Sequence, residues 1–276
     1  DPSNNTVYAG GVSGGMWKST DGANTWHRLT GWNQWLAISC IAQGPDNTIY
    51  IGTGEGLAQI GGSSFNSGSM GNGIFKLDAN DNPIQITPNN FTTNSLNSTD
   101  PWAAVNRIAV NPTNADMIIA ATQKGLYQSN DHGATWEQVQ LTPTALMGSS
   151  AADVKWSSDG IYIWAAVGGN NKIVVSPNGG FSWNRVSNGM LNPGFPATAG
   201  RIEIAISPSN SNYVYLSIAT ASGATYGVYR TTNADTSSGI VNWSVIGVKG
   251  PLFDPFGTNI QGWYDNVIAV NPTDPN

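Results

Sequence analysis

Ser129-Asn130-Asp131-His132-Gly133-Ala134-Thr135-Trp136 lies between Gly125-Leu126-Tyr127-Gln128 and Glu137-Gln138-Val139. Two short alternating runs thus flank an Asp/Gly reversal, which predicts a β-hairpin. Each residue type has a local use. The Asp carboxylate and Ser hydroxyl accept backbone N–H groups that a reversing chain leaves unpaired, Gly133 takes a positive φ, and Trp136 brings apolar surface to bury beside the turn.

The motif recurs. Ser19-Thr20-Asp21-Gly22-Ala23-Asn24-Thr25-Trp26 has Ala23 at the glycine place, and Ser176-Pro177-Asn178-Gly179-Gly180-Phe181-Ser182-Trp183 has Asn178 at the Asp place. Degenerate copies run over Leu77-Asp78-Ala79-Asn80-Asp81 and, with an insertion, from Thr231 to Trp243. This repeat resembles the Asp-box (BNR) repeat of β-propellers, a family that includes sialidases, xyloglucan-cleaving glycosidases, sortilin-type receptors and many secreted bacterial proteins. The resemblance implies an all-β propeller of four-stranded antiparallel blades. It also implies that the box is a structural turn, with Ser19, Asp21 and Trp26 in the first, Ser129, Asp131, Gly133 and Trp136 in the second, and Ser176, Asn178, Gly180 and Trp183 in the third.

A second phrase sets the period. Ile108-Ala109-Val110-Asn111-Pro112 leads to Met117-Ile118-Ile119-Ala120-Ala121, and Ile204-Ala205-Ile206-Ser207-Pro208 leads to Tyr213-Val214-Tyr215-Leu216-Ser217. Ile41 to Pro45 and Val154 to Ser158 open diverged copies. With the box hairpin, each unit reads as strands A to D, and units recur about every 54 residues, a propeller-blade period. The whole chain reads as one domain of five blades, approximately 1–40, 41–107, 108–153, 154–203 and 204–267. The first unit begins without a strand A, and 268–276 reads as a strand that closes the ring or begins a further blade of a longer propeller. No run has helical i, i+3, i+4 spacing of any length.

Composition agrees with turn-rich β structure. Charged residues make up 10% of the 276, below the usual ~25%, and aromatics reach 10%. The net charge of −6, with eleven scattered Lys and Arg, leaves no basic patch for nucleic acid or an anionic membrane surface. No stretch approaches the ~20 apolar residues of a membrane helix, and no signal peptide is present. The single cysteine, Cys40, excludes an intrachain disulfide or a Cys-ligated metal site and reads as a buried core residue.

Long connections divide the two ends of such a propeller: the box end has short turns, while the opposite face carries the long loops, where binding residues usually sit. The loops are aromatic and acidic. Trp35, Trp102 and Trp263 occupy comparable places a few residues before an inner strand, and with Tyr264 they are the ligand-binding candidates. Aromatic platforms among neutral hydrogen-bonding groups suit sugars or extended peptides, although any one of these rings can instead pin its loop to a blade.

A glycosidase would need two carboxylates across one cleft, about 5–5.5 Å apart for retention or 6.5–9.5 Å for inversion. The candidates are Glu55, Asp153 and Asp265, with Glu55 equally suited to capping the Thr53-Gly54-Glu55-Gly56 turn. The sialidase arginine triad is missing: Arg28, Arg185 and Arg230 flank boxes, leaving only Arg107 and Arg201 of the five arginines. No phosphate loop is present. His27 and His132 lie at boxes, as structural residues, and no metal site or cofactor is expected, calcium at the Asp78 to Asn82 turn being the weak exception. The expected function is a secreted or cell-surface, non-catalytic binding or scaffold propeller with a glycan or protein ligand, the alternative being a glycosidase acting on a neutral polysaccharide. The resemblance further implies neighbouring domains in a longer chain and export with a C-terminal sorting domain, as in substrates of type IX secretion.

Overall fold

A computed structural model describes residues 5–32, 37–57, 69–88, 100–142, 144–168, 172–186, 199–234, 241–257 and 260–276. Among them every extended element is a β-strand, joined by two single-turn 3-10 segments, Pro101–Ala103 and Thr144–Leu146. The first sheet contains β1 (Val7–Gly11), β2 (Gly15–Ser19) and β3 (His27–Arg28). The second contains β4 (Ile38–Gln43), β5 (Ile49–Thr53), β6 (Ile74–Leu77) and β7 (Pro83–Gln85). The third contains β8 (Val105–Asn111), β9 (Asn114–Thr122), β10 (Gly125–Ser129) and β11 (Glu137–Gln138). The fourth contains β12 (Ala151–Trp156), β13 (Ile163–Val167), β14 (Lys172–Ser176) and β15 (Asn184–Arg185). The fifth contains β16 (Ala199–Ile206), β17 (Val214–Thr220), β18 (Thr225–Thr231) and β19 (Ser244–Val248).

Each sheet is an antiparallel meander, so the A-to-D reading of a unit holds in four sheets, and the first has strands B to D. Every strand A carries a register shift near its start: Ile38/Cys40 in β4, Val105/Arg107 in β8, Ala151/Asp153 in β12 and Ala199/Ile202 in β16. Such bulges twist the strand and re-aim the side chains that follow. They set the direction of Arg107, Asp153 and Arg201. Residues 268–276 form no strand. The Thr273 amide and hydroxyl donate to Asn271 Oδ1 at 3.0 and 3.1 Å, the same turn that Thr113 makes on Asn111, and the Tyr215 hydroxyl donates to the Pro275 carbonyl.

The three repeated turns are nearly superposable in their bonding. Ser129 Oγ donates to Asp131 Oδ1 at 2.7 Å and accepts the Gly133 amide at 2.9 Å, while the Thr135 amide and hydroxyl reach the two carboxylate oxygens at 2.8 and 2.5 Å. Ser19 and Asp21 repeat the set with Ala23 and Thr25. Asn178 keeps it without a charge, accepting the Ser182 amide at 2.9 Å. The tryptophans differ. Trp136 Nε1 donates to the Ile86 carbonyl just beyond β7, tying the third sheet to the second, whereas Trp26 and Trp183 donate to the carbonyls of Ala23 and Gly180 in their own turns. Trp26 stays 36% exposed, contrary to its expected burial, whereas Trp183, bonded in the same way, is 6% exposed.

Contacts group into two compact units, the first formed by 1–56, 66–123 and 127–137, the second by 57–65, 124–126 and 138–276. In the first, Met16, Trp32, Ile38, Ile51 and Phe75 fill the space between the first and second sheets, and Tyr50, Ile74, Trp102, Val105 and Ile118 fill that between the second and third. Cys40 is only half-buried at the edge of this latter cluster. In the second unit, Trp164, Ile173, Ile202, Leu216 and Trp243 form the shared core of the fourth and fifth sheets.

Ala23 holds φ +71°, where the equivalent glycines hold +84° and +97°. A Cβ in this region costs about 1 kcal/mol. Ala23→Gly is therefore expected to raise stability by about 1 kcal/mol, read from denaturant midpoints at unchanged m-value.

Hydrogen bonds from Thr25 and Thr135, first from the hydroxyl and then the amide, lower the Asp21 and Asp131 carboxyls from 3.8 to about 2. A depressed folded pKa contributes stability above the unfolded value and loses it as the group protonates. The melting temperature is expected to hold down to about pH 4 and to fall between about pH 4 and about pH 2. The Asp21→Asn/Asp131→Asn protein should show a smaller fall over the same window.

Candidate functional site

The glycine-rich stretch before β6 is explained by close backbone approach. The Gly71 amide donates to the Ala103 carbonyl and the Gly73 amide to the Trp102 carbonyl, both at 2.8 Å. Thr53 Oγ1 donates to the Gly73 carbonyl at 2.8 Å and accepts the Asn72 amide at 2.7 Å. A side chain at Gly73, whose φ is +78°, would collide with Thr87. Glu55 belongs to this framework: its Oε2 accepts the Ser69 amide at 2.7 Å, and its own amide donates to the Ser69 carbonyl at 2.9 Å.

Trp102 belongs to it as well. Asp100 Oδ1 accepts the Trp102 amide at 2.8 Å and caps the 3-10 turn, and this drops the indole into the core against Tyr127 at 5.0 Å and Trp136 at 5.3 Å between ring centroids. Burial, and secondarily the Asp100 charge, raise the Tyr127 pKa. At 5% exposure Trp102 packs the second and third sheets and offers no surface platform. Trp35 lies outside the described residues.

The second unit presents an aromatic pair. Trp263 and Tyr264 are half-buried, with centroids 5.5 Å apart and planes inclined by 57°. Their loop is fastened at several points. The Gly262 amide donates to the Gly223 carbonyl at 2.8 Å, and Gly223, at φ +87°, leaves room only for hydrogen beneath Trp263. Thr225 Oγ1 donates to Asp254 Oδ1 at 2.7 Å, which is also the main cause lowering the Asp254 pKa, ahead of the Lys249 charge.

A buried polar network underlies the pair. Arg201 and Glu203, each 3% exposed, face the same side of β16, with Nε to Oε1 at 2.7 Å. Arg201 Nη1 donates to the Tyr264 carbonyl. Asn266 Nδ2 donates to the Ser217 carbonyl at 3.0 Å, and its Oδ1 accepts Ser217 Oγ at 2.6 Å. Sequence reasoning passed over this network. Its signal was an Arg-x-Glu alternation within an otherwise apolar strand, which puts opposite charges on one face.

The carboxylates proposed for catalysis divide accordingly. Asp153 is fully buried, and its Oδ1 accepts the Val154 amide at 2.9 Å and Lys155 Nζ at 2.5 Å, while Oδ2 accepts the Ile204 amide at 2.8 Å. These bonds stitch β12 to β16. Asp265 is exposed and Glu55 is bonded as a loop brace. His132 lies 3.5 Å from Asp46 and 3.8 Å from Asp116, inside its turn, and His27 is exposed on β3. Asp78 spends its carboxylate on the Asn80 and Asn82 amides, and Asp81 on Tyr8 and Lys18. Among the described residues no three His, Cys, Asp or Glu side chains converge as a metal site. No described helix is long and apolar enough to cross a membrane.

No protein-family model matches the chain, and no curated protein matches its sequence. The structure is similar to that of an ancestral GH74 enzyme, with a TM-score of 0.61 and 22% identity over 89% of this chain and 30% of that one. It is similar to the GH74 xyloglucanase of Xanthomonas campestris, with a TM-score of 0.58 and 18% identity over 88% of this chain and 36% of that one. YCF48 bound to D1 peptide matches with a TM-score of 0.50 and 12% identity over 85% of this chain and 62% of that one. The chain thus has the β-propeller fold, as an all-β protein of antiparallel blades, and it spans about a third of the length of the two GH74 structures.

The two tryptophans differ in burial, Trp102 lying in the core and Trp263 half-exposed. Trp102→Ala is expected to cost about 3–5 kcal/mol as a large buried-ring deletion. Trp263→Ala, removing a half-exposed ring, is expected to cost about 1 kcal/mol or less. Denaturant unfolding of the two variants checks both values.

Proposed function

We propose that the chain is a non-catalytic binding propeller of the Asp-box type, part of an exported protein, and that Trp263 and Tyr264 form its ligand platform. The carrying observation is the half-exposed ring pair on a loop fastened by Gly223, Thr225 and the buried Arg201. Two faces inclined to each other suit the alternating C–H faces of a glycan chain. A protein ligand is the related reading, since YCF48, a propeller of similar fold, has been seen with a bound peptide.

The glycosidase alternative draws on the GH74 neighbours, with which this chain shares the fold. Against it stands Asp153, whose two oxygens already hold a lysine and two backbone amides and would have to break those bonds to act.

A glycan array read with the wild-type chain and with Trp263→Ala and Tyr264→Ala tests the reading. Loss of at least tenfold in affinity for the bound glycan is expected in each variant, the size of one aromatic contact in a ligand site. Equal binding by all three proteins would remove the platform. Release of reducing ends from xyloglucan by the wild-type chain would favour the enzyme instead.

A further inference from the structure

Two Asn-Gly pairs lie among the described residues, Asn72-Gly73 and Asn178-Gly179. In such a pair no side chain shields the glycine nitrogen, so it can attack the side-chain amide of the preceding asparagine. The two pairs differ in access. Asn72 is 4% exposed, and the Gly73 amide is bonded to the carbonyl of the buried Trp102. Asn178 is exposed, at the place in the third repeated turn that Asp21 and Asp131 occupy in the other two.

In the folded turn both groups that would react are already held. Asn178 Oδ1 accepts the Ser176 hydroxyl at 3.1 Å and the Ser182 amide at 2.9 Å, and Nδ2 donates to Ser182 Oγ at 3.0 Å. The Gly179 amide donates to the Ile161 carbonyl at 3.0 Å, and the Gly180 amide to Ser176 Oγ at 2.7 Å. These bonds fix the side chain on its own turn and the Gly179 nitrogen on the β12–β13 connection. Ring closure between them therefore requires the turn to open first.

The turn also fits the product of such a reaction. At Asp21 and Asp131 the same frame holds a carboxylate, whose oxygens accept the hydroxyl and amide of Thr25 and Thr135. Those bonds, the hydroxyl ahead of the amide, lower both carboxyls from 3.8 to about 2. Ser182 brings the same two groups to Asn178. Its hydroxyl accepts from the side-chain amide and needs only to rotate to donate to a carboxylate oxygen.

We propose that Asn178 is a deamidation site gated by the opening of its own turn, and that conversion gives this turn the Asp form of the other two. In the opened turn the Gly179 nitrogen attacks Asn178 Cγ, the Cγ–Nδ2 bond breaks, and ammonia leaves with the Gly179 amide proton. Water then opens the cyclic imide. Attack at Cγ gives aspartate, restores the Gly179 N–H and adds a negative charge, and the turn re-forms around the carboxylate. Attack at the main-chain carbonyl gives isoaspartate, whose extra main-chain carbon shifts the Gly179 and Gly180 amides away from Ile161 and Ser176.

The full chain, its Ser182→Ala variant and an unfolded peptide spanning 173–185 are incubated at mildly alkaline pH. Mass spectrometry of tryptic peptides reads the amide-to-acid change at each asparagine, and exchange of the Gly179 amide is followed in parallel. Conversion at Asn178 is expected to be slower in the folded chain than in the peptide, yet faster than at Asn72, which opens only with the core. Ser182 is exposed, and Ser182→Ala removes a single side-chain hydrogen bond, so it should speed conversion and Gly179 exchange together by about fivefold. Asn178→Asp should keep the Gly179 and Gly180 amides as protected as in the wild type. The proposal is overturned if Asn178 converts as fast in the folded chain as in the peptide, or no faster than Asn72. It is equally overturned if Ser182→Ala leaves the rate unchanged, if Asn178→Asp exposes the two glycine amides, or if no conversion occurs while the Gly179 amide exchanges.

Discussion

The structure depends on one local exchange: a hydroxyl and a side-chain oxygen take over the backbone N–H groups that a tight reversal strips of partners. In the turn at Ser129 and Asp131, two side chains satisfy the amides of Gly133 and Thr135 and the Thr135 hydroxyl without help from any other sheet. A reversal whose Ser and Asp bonds are local, and whose fourth residue (Gly22, His132 or Gly179) donates its amide to the carbonyl of Asn5, Asp116 or Ile161, can be repeated wherever the third and fourth strands of a unit must meet. Because the turn needs oxygen acceptors and not a charge, Asn178 substitutes for Asp in the fourth sheet with the same geometry.

A second constraint sits at the opposite end of each unit. The recurring register shift at the start of β4, β8, β12 and β16 interrupts the ladder just where polar residues enter an apolar strand. There Asp153 and the Arg201–Glu203 pair are buried, Asp153 with both oxygens bonded and Arg201 bonded to Glu203 Oε1. Buried charges without partners would be costly. Here the partners also bind neighbouring segments: Asp153 joins β12 to β16, and Arg201 holds the chain at Tyr264. The loop that carries Trp263 and Tyr264 is therefore held from beneath by strand residues, which limits how far it can drift.

Much of this was legible in the sequence. The box residues predicted the turns because their bonding is local, spanning four residues, and the Ile/Val-Ala-Val/Ile phrases predicted the first strands because alternation and a following turn residue are local as well. What failed was long-range. Trp102 looked like a partner of Trp263, since both precede an inner strand, but the Asp100 cap turns it inward onto Tyr127 and Trp136, contacts that no spacing rule discloses. Asp153 looked like a cleft carboxylate, but its Oδ2 accepts the amide of Ile204, 51 residues away in another sheet, a contact that no local pattern discloses.

Native-state hydrogen exchange of the amides of Gly133, Thr135, Gly180 and Ser182 tests most directly whether these reversals hold themselves together. Thr135 and Ser182 are exposed and Gly180 is half-buried, so their amides would exchange freely if unbonded, while Gly133 is buried and serves as the protected reference. Protection comparable to that of the ladder amides in β10 and β14 is expected. Exchange as fast as in an open loop would contradict the claim that side-chain capture of these N–H groups organises the fold.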